Sequence, residues 1–309
     1  MSQKLPTTLQ EAIQYFADEQ RCLDFAIAMR WPHGPTCPAC HSQEYRFIKT
    51  RSLWVCKRCQ KHYSVKVGTI FEDSHIKLDK WLCAMWMMVN AKNGISSYEV
   101  HRALKVTQKT AWFMMHRIRL ALQKGSIDRK LMGDVEVDET YIGGQARNMH
   151  HDKQIKMKRA EGFFRKAVVI GMLERKGEVR TAVLNRASTK LVEKAIKENV
   201  VPGSSLYSDQ FGAYVKVGKE YAHQVINHAE TYVKGNVHTN SIENYWSLLK
   251  RGIKGTYVSV EPFHLFRYLD EQSFRFNTRK DNDQGRFMQA LSQIAGKRVT
   301  YEHLTGLPA

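Results

Sequence analysis

The residue pattern predicts an α/β protein in three parts: a small cysteine-bearing ribbon, a run of helices, and a larger domain on a mixed sheet. Three observations carry this reading. Four of the six cysteines stand in two Cys-x₂-Cys pairs. Between residues 78 and 124 apolar side chains recur at helical spacing. Beyond residue 127, short runs rich in β-branched residues alternate with helical stretches. A length of 309 residues also exceeds one ordinary domain of roughly 100–200 residues. The expected boundaries are an N-terminal helix over 1–30, the ribbon over 31–72, a helical region over 73–126, the sheet domain over 127–280 and a helical tail over 281–309.

In chain order, residues 9–30 read as one helix. Cys37-Pro38-Ala39-Cys40 and Cys56-Lys57-Arg58-Cys59 then give a Cys-x₂-Cys-x₁₅-Cys-x₂-Cys spacing. Two such knuckles present four thiolates to one Zn²⁺, the pattern of a structural zinc ribbon. The competing pair of disulfides is disfavoured in a cytosolic chain. Between the knuckles, residues 45–48 and 53–55 read as hairpin strands. A closed four-cysteine site is structural, so this zinc takes no part in chemistry. Cys22 and Cys83 fall in helical apolar patterns and are expected in the core.

Three helices are expected over 78–92, 96–105 and 107–124, with Gly94 between the first two and Ser96 and Thr107 as N-caps. Along the third, Ala111, Met115, Ile118 and Leu122 form the core stripe, and Gln108, Lys109, His116, Arg117 and Arg119 lie mostly off it. This resembles a helix-turn-helix whose last helix enters a major groove, with Gln108, Lys109 and Arg117 as candidate DNA contacts. Three-helix packing without DNA contact fits the same pattern.

The sheet domain begins with a strand over 135–142 that ends at Gly143-Gly144. A hairpin over 166–173 and 178–184 follows, then a helix over 189–199 and strands over 205–209 and 223–226. Helices near 241–254, 261–278 and 284–296 are expected to cover the sheet. The mixed pattern suits an RNase H-like fold.

Three carboxylates stand out. Asp138 lies on the first strand of this domain, Asp209 ends a later one, and Glu243 opens a helix. Clustered carboxylates repel and stay ionised together where cations neutralise them. Oxygen ligands favour Mg²⁺ or Mn²⁺, and two such ions can activate a nucleophile at a phosphodiester and stabilise its leaving oxygen. Each acid also has a plainer reading. Asp134, Glu136 and Asp138 share one strand face, so period two cannot choose among them. Asp209 could cap a turn. Asn240-Ser241-Ile242-Glu243 fits a capping box, with Asn240 at the N-cap and Glu243 at N3. Lys250 lies at i+7 from Glu243, on nearly the same helix face.

Lys plus Arg number 48 against 30 Asp plus Glu, a formal charge of +18. Such a surface gains phosphate affinity through counterion release, and equally suits an anionic membrane or simple solubility. Seven Lys and Arg residues lie between Arg147 and Lys166, a basic loop near the acids or a solvated charge run. Residues 1–16 lack the apolar core of a signal peptide, and the run from Trp81 to Val89 is too short to span a bilayer. A cytosolic protein without a membrane partner is expected. His228 and His238 are expected to be structural or solvated.

Three segments carry a family resemblance: Val-Asp-Glu-Thr-Tyr-Ile-Gly-Gly at 137–144, Tyr-Ser-Asp-Gln-Phe-Gly-Ala-Tyr at 207–214 and His-Thr-Asn-Ser-Ile-Glu-Asn-Tyr-Trp-Ser-Leu-Leu-Lys-Arg at 238–251. With the ribbon, the chain resembles a DDE transposase of a bacterial insertion sequence, of the zinc-ribbon-bearing type in the 1595 insertion-sequence family. The resemblance implies that Asp138, Asp209 and Glu243 are catalytic and hold two Mg²⁺ or Mn²⁺ ions. Lys250 and Arg251 would then contact DNA. Some relatives use an asparagine as the third member, so Asn240 stands as the rival to Glu243. The family binds double-stranded DNA at terminal inverted repeats, cuts to free a 3′-hydroxyl and joins it to target DNA. It is expected to act as a homodimer or larger assembly in the bacterial cytosol, at the nucleoid. One departure is visible: Val258 follows Tyr257 where relatives often carry histidine. Two other functions fit the same residues, a zinc-ribbon and helix-turn-helix DNA-binding regulator and a metal-dependent nuclease or resolvase that does not join strands.

Overall fold

In the computed structural model the described residues are 4–123, 129–143, 166–209, 220–226 and 238–306. Most of the basic segment from residue 147 onward, and His228, lie outside them. The chain forms two compact units, one of residues 1–124 with 278–309 and one of residues 125–277.

The first unit opens with two helices where one was expected, α1 (Leu9–Phe16) and α2 (Glu19–Arg30). Asp18 breaks the run. Its backbone is extended and its carboxylate accepts from the Arg21 amide at 2.7 Å, so a new N-cap forms two residues after α1 ends. The ribbon is a three-stranded antiparallel sheet in the order β1 (Tyr45–Ile48), β2 (Leu53–Cys56), β3 (His62–Tyr63), the last strand being unanticipated. Three helices follow, α3 (Leu78–Asn90), α4 (Ser97–Leu104) and α5 (Gln108–Leu122). Ser96 and Thr107 cap α4 and α5 as expected, and Lys105 makes the turn between them at φ 49°. Cys22 is buried and Cys83 half-buried.

Helix α3 is the axis of this core, with Trp81, Leu82, Met85, Trp86 and Met88 all buried. The helix Asp283–Ser292, expected on the sheet, packs here instead. Its apolar face meets a ready aromatic surface: Phe287 lies 5.1 Å from Trp86, 5.7 Å from Phe16 and stacked at 6.2 Å on Phe25, centroid to centroid.

The second unit is a five-stranded mixed sheet with helices on both faces. Its elements are β4 (Asp134–Ile142), β5 (Ala167–Glu174), β6 (Val179–Leu184), α6 (Thr189–Asn199), β7 (Ser205–Asp209), β8 (Ala222–Ile226), α7 (Asn240–Gly252) and α8 (Leu265–Asn277). The strand order is β6-β5-β4-β7-β8, antiparallel from β6 to β4 and parallel from β4 to β8. One face packs Val135, Val137, Ile170 and Met172 against Val192 and Ile196 of α6. The other packs Val169 and Leu173 against Ile242, Trp246 and Leu249 of α7 and Leu265 and Leu269 of α8. Alternation along β4 therefore sends Val135 and Val137 to the α6 face and Glu136 and Asp138 towards α7. After Gly252, α7 widens into a π-type turn, Ile253–Tyr257.

Candidate metal centre and DNA-facing residues

The parallel pairing of β4 with β7 sets Asp134 beside Ser205 and Glu136 beside Tyr207. One further pleat brings Asp209, the last residue of β7, alongside Asp138. Asp138, Glu139 and Asp209 each offer a carboxylate oxygen within 4.8 Å of the others. Burial, then the charge of Asp209 and more weakly that of Glu243, push the Asp138 carboxyl up to about 6, although Trp246 and the Glu139 amide donate to it. Three crowded, half-buried acids are costly without a cation. As hard oxygen donors they suit a divalent ion such as Mg²⁺ or Mn²⁺.

Glu139 was not singled out from the sequence. Strand parity assigns it to the opposite face from Asp138, yet its longer side chain brings an oxygen to the cluster. Its position next to Asp138 was the available signal. Glu243 lies outside the 4.8 Å cluster, exposed in the first turn of α7, although its charge is felt at Asp138. Its Oε1 accepts from Thr239 Oγ1 at 2.9 Å.

The expected capping box does not form. Thr239 occupies the N-cap, and Asn240 is the exposed first residue of the helix. The cap comes from the sheet instead. Glu136, with no exposed surface, accepts from the Ser241 and Ile242 amides at 2.9 and 3.0 Å through Oε2. Its Oε1 pairs with Arg175 Nε at 3.0 Å and lies 3.3 Å from His238 Nδ1. A buried carboxylate at the positive end of a helix satisfies two amides and the dipole together. Asp134, the outermost of the three same-face acids, is exposed and accepts from the Tyr207 hydroxyl at 3.1 Å. Strand parity could not separate these acids; helix α7 does.

Helix α7 also reaches Asp138 directly. Trp246 Nε1 donates to Asp138 Oδ2 at 2.9 Å, while Oδ1 accepts from the Glu139 amide at 2.8 Å. Gly171, the register partner of Asp138 on β5, makes room for the indole. A Cβ there would stand 2.6 Å from the Trp246 ring and 2.8 Å from Ile242. Trp246 and Leu249 are core residues, as expected, at 4% and 2% exposure.

In the ribbon, Cys37, Cys40, Cys56 and Cys59 present sulfurs within 4.8 Å of one another. Cys37–Cys59 and Cys40–Cys56 are 3.7 and 3.5 Å apart. These spacings far exceed a disulfide bond of about 2.05 Å. They match the roughly 3.8 Å edge of a tetrahedron with zinc–sulfur bonds of about 2.3 Å. The Cys59 amide also points at Cys56 Sγ from 3.5 Å, the knuckle geometry that favours a thiolate.

The candidate DNA contacts separate. Lys109 is exposed, its ammonium 4.7 Å from the centre of the Tyr301 ring, and Gln108 donates to Ser97 Oγ at 2.9 Å. Arg117 corrects the helical-wheel reading. It is 3% exposed, donates to the Glu72 carbonyl and lies over the Trp81 and Phe113 rings, so it serves the core and is withdrawn as a DNA contact. His116 and Arg119 are buried too. The apolar face of α5 is wider than a single stripe because it meets α3 and α4 together with the helix Asp283–Ser292. Lys250 and Arg251 are exposed in the last turn of α7. Among the described residues, no helix is long and apolar enough to cross a membrane.

A four-thiolate ribbon joined to a mixed sheet with clustered acids defines a zinc-ribbon protein with a metal-capable acidic centre. Residues 130–277 match the ISXO2-like transposase domain, and residues 17–62 match the transposase zinc-ribbon domain. The chain belongs to the IS1595 family of zinc-ribbon transposases. It is 25% identical over 252 residues to a protein in transposable element ISH50 of Halobacterium salinarum, covering 77% of this chain and 84% of the relative. It is 29% identical over 117 residues to a transposase-like protein of Haemophilus influenzae, covering 38% of this chain and 94% of the relative.

Proposed function

We propose that this transposase binds the terminal inverted repeats of its own element, cuts there to free a 3′-hydroxyl and joins that hydroxyl to target DNA. The observation that carries the reading is the closeness of the Asp138 and Asp209 carboxylates, Asp138 midway along β4 and Asp209 at the end of the parallel neighbour β7. The mixed strand order, with helices on both faces, supports the RNase H-like reading of this unit.

Asp138 and Asp209 are the residues to hold two divalent ions, with Glu243 completing the set and Glu139 close enough to share in it. Bound Mg²⁺ or Mn²⁺ supplies Lewis-acid activation of an attacking oxygen and neutralises charge at the phosphodiester. The protein's own task is orientation. Trp246 fixes the Asp138 carboxylate, and Glu136 fixes the start of the helix that carries Glu243. Lys250 and Arg251 offer phosphate contacts on that same helix.

The α4–turn–α5 pair is the candidate helix-turn-helix. It would bring Gln108 and Lys109 to the major groove, with phosphate contacts adding salt-dependent affinity. Two element ends must be paired, so the working form is a homodimer or larger assembly on double-stranded DNA, at the nucleoid.

The test is a joining assay. The full-length protein is incubated with Mg²⁺, a duplex carrying the terminal sequence that flanks the gene, and a target plasmid. Covalently joined product supports the proposal. Nicks without joining would make the protein a nuclease or resolvase. End binding with no metal-dependent cutting would make it a regulator.

A further inference from the structure

A groove of about 590 Å³ opens beyond the acidic cluster, lined by Tyr141, Lys166, Lys250, Ile253, Lys254 and Val258, among others. Its volume falls within the roughly 300–1,000 Å³ of small-molecule sites. Tyr141 follows Asp138 by three residues, about 10 Å along the strand. Lys250 follows Trp246 by one turn of the helix that holds Asp138. The lining contains three lysines and no acid, and none of the three is paired with a carboxylate among the described residues. Tyr141 is 48% exposed. The groove thus combines an aromatic ring, aliphatic walls and unneutralised positive charge.

The groove is also bordered by an unusual stretch of backbone. Val258 has φ 61° and ψ −55°, and the Ser259 amide donates to the Tyr257 carbonyl at 2.6 Å. This is a γ-turn of the strained hand, which a β-branched residue rarely adopts. The turn ends the π-type segment after α7 and leaves Val258 78% exposed. A strained turn that holds an apolar side chain out in water, at the edge of a cationic groove, points to a ligand that covers it.

We infer that the groove receives one unstacked nucleotide of the DNA strand beside the cleavage point, with Val258 as the wedge that parts it from its neighbour. The inference rests on the DNA-cutting function proposed above. Apolar wedges of this kind separate base steps. A displaced base stacks on an aromatic face, here Tyr141, and its flanking phosphates meet Lys166, Lys250 and Lys254.

The experiment uses the full-length protein without divalent metal, so that DNA is bound and not cut. The probe is a duplex of the flanking terminal sequence with 2-aminopurine placed at one position at a time across the element boundary. Fluorescence is expected to rise at one position on binding. Val258→Gly adopts this backbone without strain and so keeps the turn, and Val258→Asn replaces the apolar wedge by a polar side chain of similar size. They should abolish the rise while leaving affinity for a scrambled duplex unchanged. Tyr141→Ala should weaken binding of the terminal duplex at least about fivefold, the loss of one base–aromatic stack. Lys254→Ala should reduce the slope of log affinity against log salt by about 0.9, one phosphate contact. Bound terminal DNA with no bright position, or Val258 variants as bright as the wild type, would overturn the wedge and leave the DNA-cutting reading intact. Failure to prefer the terminal duplex over the scrambled one would overturn both.

Discussion

Trp246 reaches the Asp138 carboxylate, Nε1 to Oδ2 at 2.9 Å, through space that Gly171 leaves empty on the neighbouring strand. Orientation of a metal-capable acid therefore depends on a glycine that touches no substrate. Gly171→Ala must displace the indole, and overpacking of this kind costs about 1–3 kcal/mol. Urea denaturation should show that loss together with reduced DNA cutting. Trp246→Phe removes the donor, at about 1.5–3 kcal/mol for a hydrogen bond to a charged group, and also shrinks the buried ring. A Gly171→Ala protein with wild-type stability and activity would break this connection.

Asp138→Asn and Asp209→Asn should abolish cutting and joining and spare end binding, because an amide cannot supply the charge that holds a divalent ion. Glu243→Gln still offers an oxygen to Thr239, so its melting temperature should match the wild type while activity disappears. Glu139→Gln and Asn240→Ala complete the comparison. If Glu243→Gln remains active in Mg²⁺ and Glu139→Gln or Asn240→Ala does not, the third role belongs to that residue.

Metal should stabilise the sheet unit in a pH-dependent way. Burial and Asp209 raise the Asp138 carboxyl to about 6, so the folded metal-free protein holds this proton more tightly than the unfolded chain. The raised value is a destabilisation that sets in above the unfolded carboxyl pKa and is complete above about 6. Mg²⁺ offsets it, and protons compete with Mg²⁺ below that point. Calorimetry should find a larger Mg²⁺-induced rise in melting temperature at about pH 8 than at about pH 5, and little rise at either pH in Asp138→Asn. A larger rise at the acidic pH would contradict the electrostatics of the site.

Sulfur spacings of 3.5 and 3.7 Å call for one zinc per chain in the ribbon. Metal analysis of purified protein should find it. A chelator or Cys56→Ser should lower the melting transition of the unit containing the ribbon and leave that of residues 125–277 in place. Zinc-free protein with an unchanged transition would exclude the assignment.

Glu136→Ala strands Arg175 and two helix amides. Removing one partner of a buried pair costs about 3–5 kcal/mol. Glu136→Gln keeps one acceptor for the amides, so part of the loss should return. Because Glu136 acts through α7, the Gln variant should bind terminal DNA normally and show a lower turnover rate at unchanged KM. A proportionate rise in KM instead would place Glu136 in DNA binding.

The ribbon was legible because four cysteines at fixed spacing leave little other use for themselves. The strands of the sheet unit were legible for a similar reason, since apolar runs between turn residues can do little but pair. Asp138 and Asp209 were found through motif context, and the register of β4 with β7 explains why they meet. What failed depended on partners distant in sequence. The cap of α7 lies more than a hundred residues before the helix, on Glu136, so the local Asn240–Glu243 pattern misled. Arg117 looked solvent-facing on a helical wheel, which cannot register the Trp81 and Phe113 rings around it. The helix Asp283–Ser292 gave no local sign that Phe287 would join aromatic rings from the other end of the chain.

That last arrangement sets an order of maturation. Synthesis delivers the N-terminus first, and domains generally fold as they emerge. The aromatic cluster of Phe16, Phe25 and Trp86 nevertheless waits for Phe287, which leaves the ribosome only after the whole of residues 125–277. The acid-bearing unit can thus be finished before the unit that begins the chain. A chain released after truncation between residues 277 and 287 would carry a complete sheet unit tethered to helices whose aromatic surface is still open to water. In the cell such a fragment is a substrate for chaperones and proteases, and full-length chains alone carry both units in finished form.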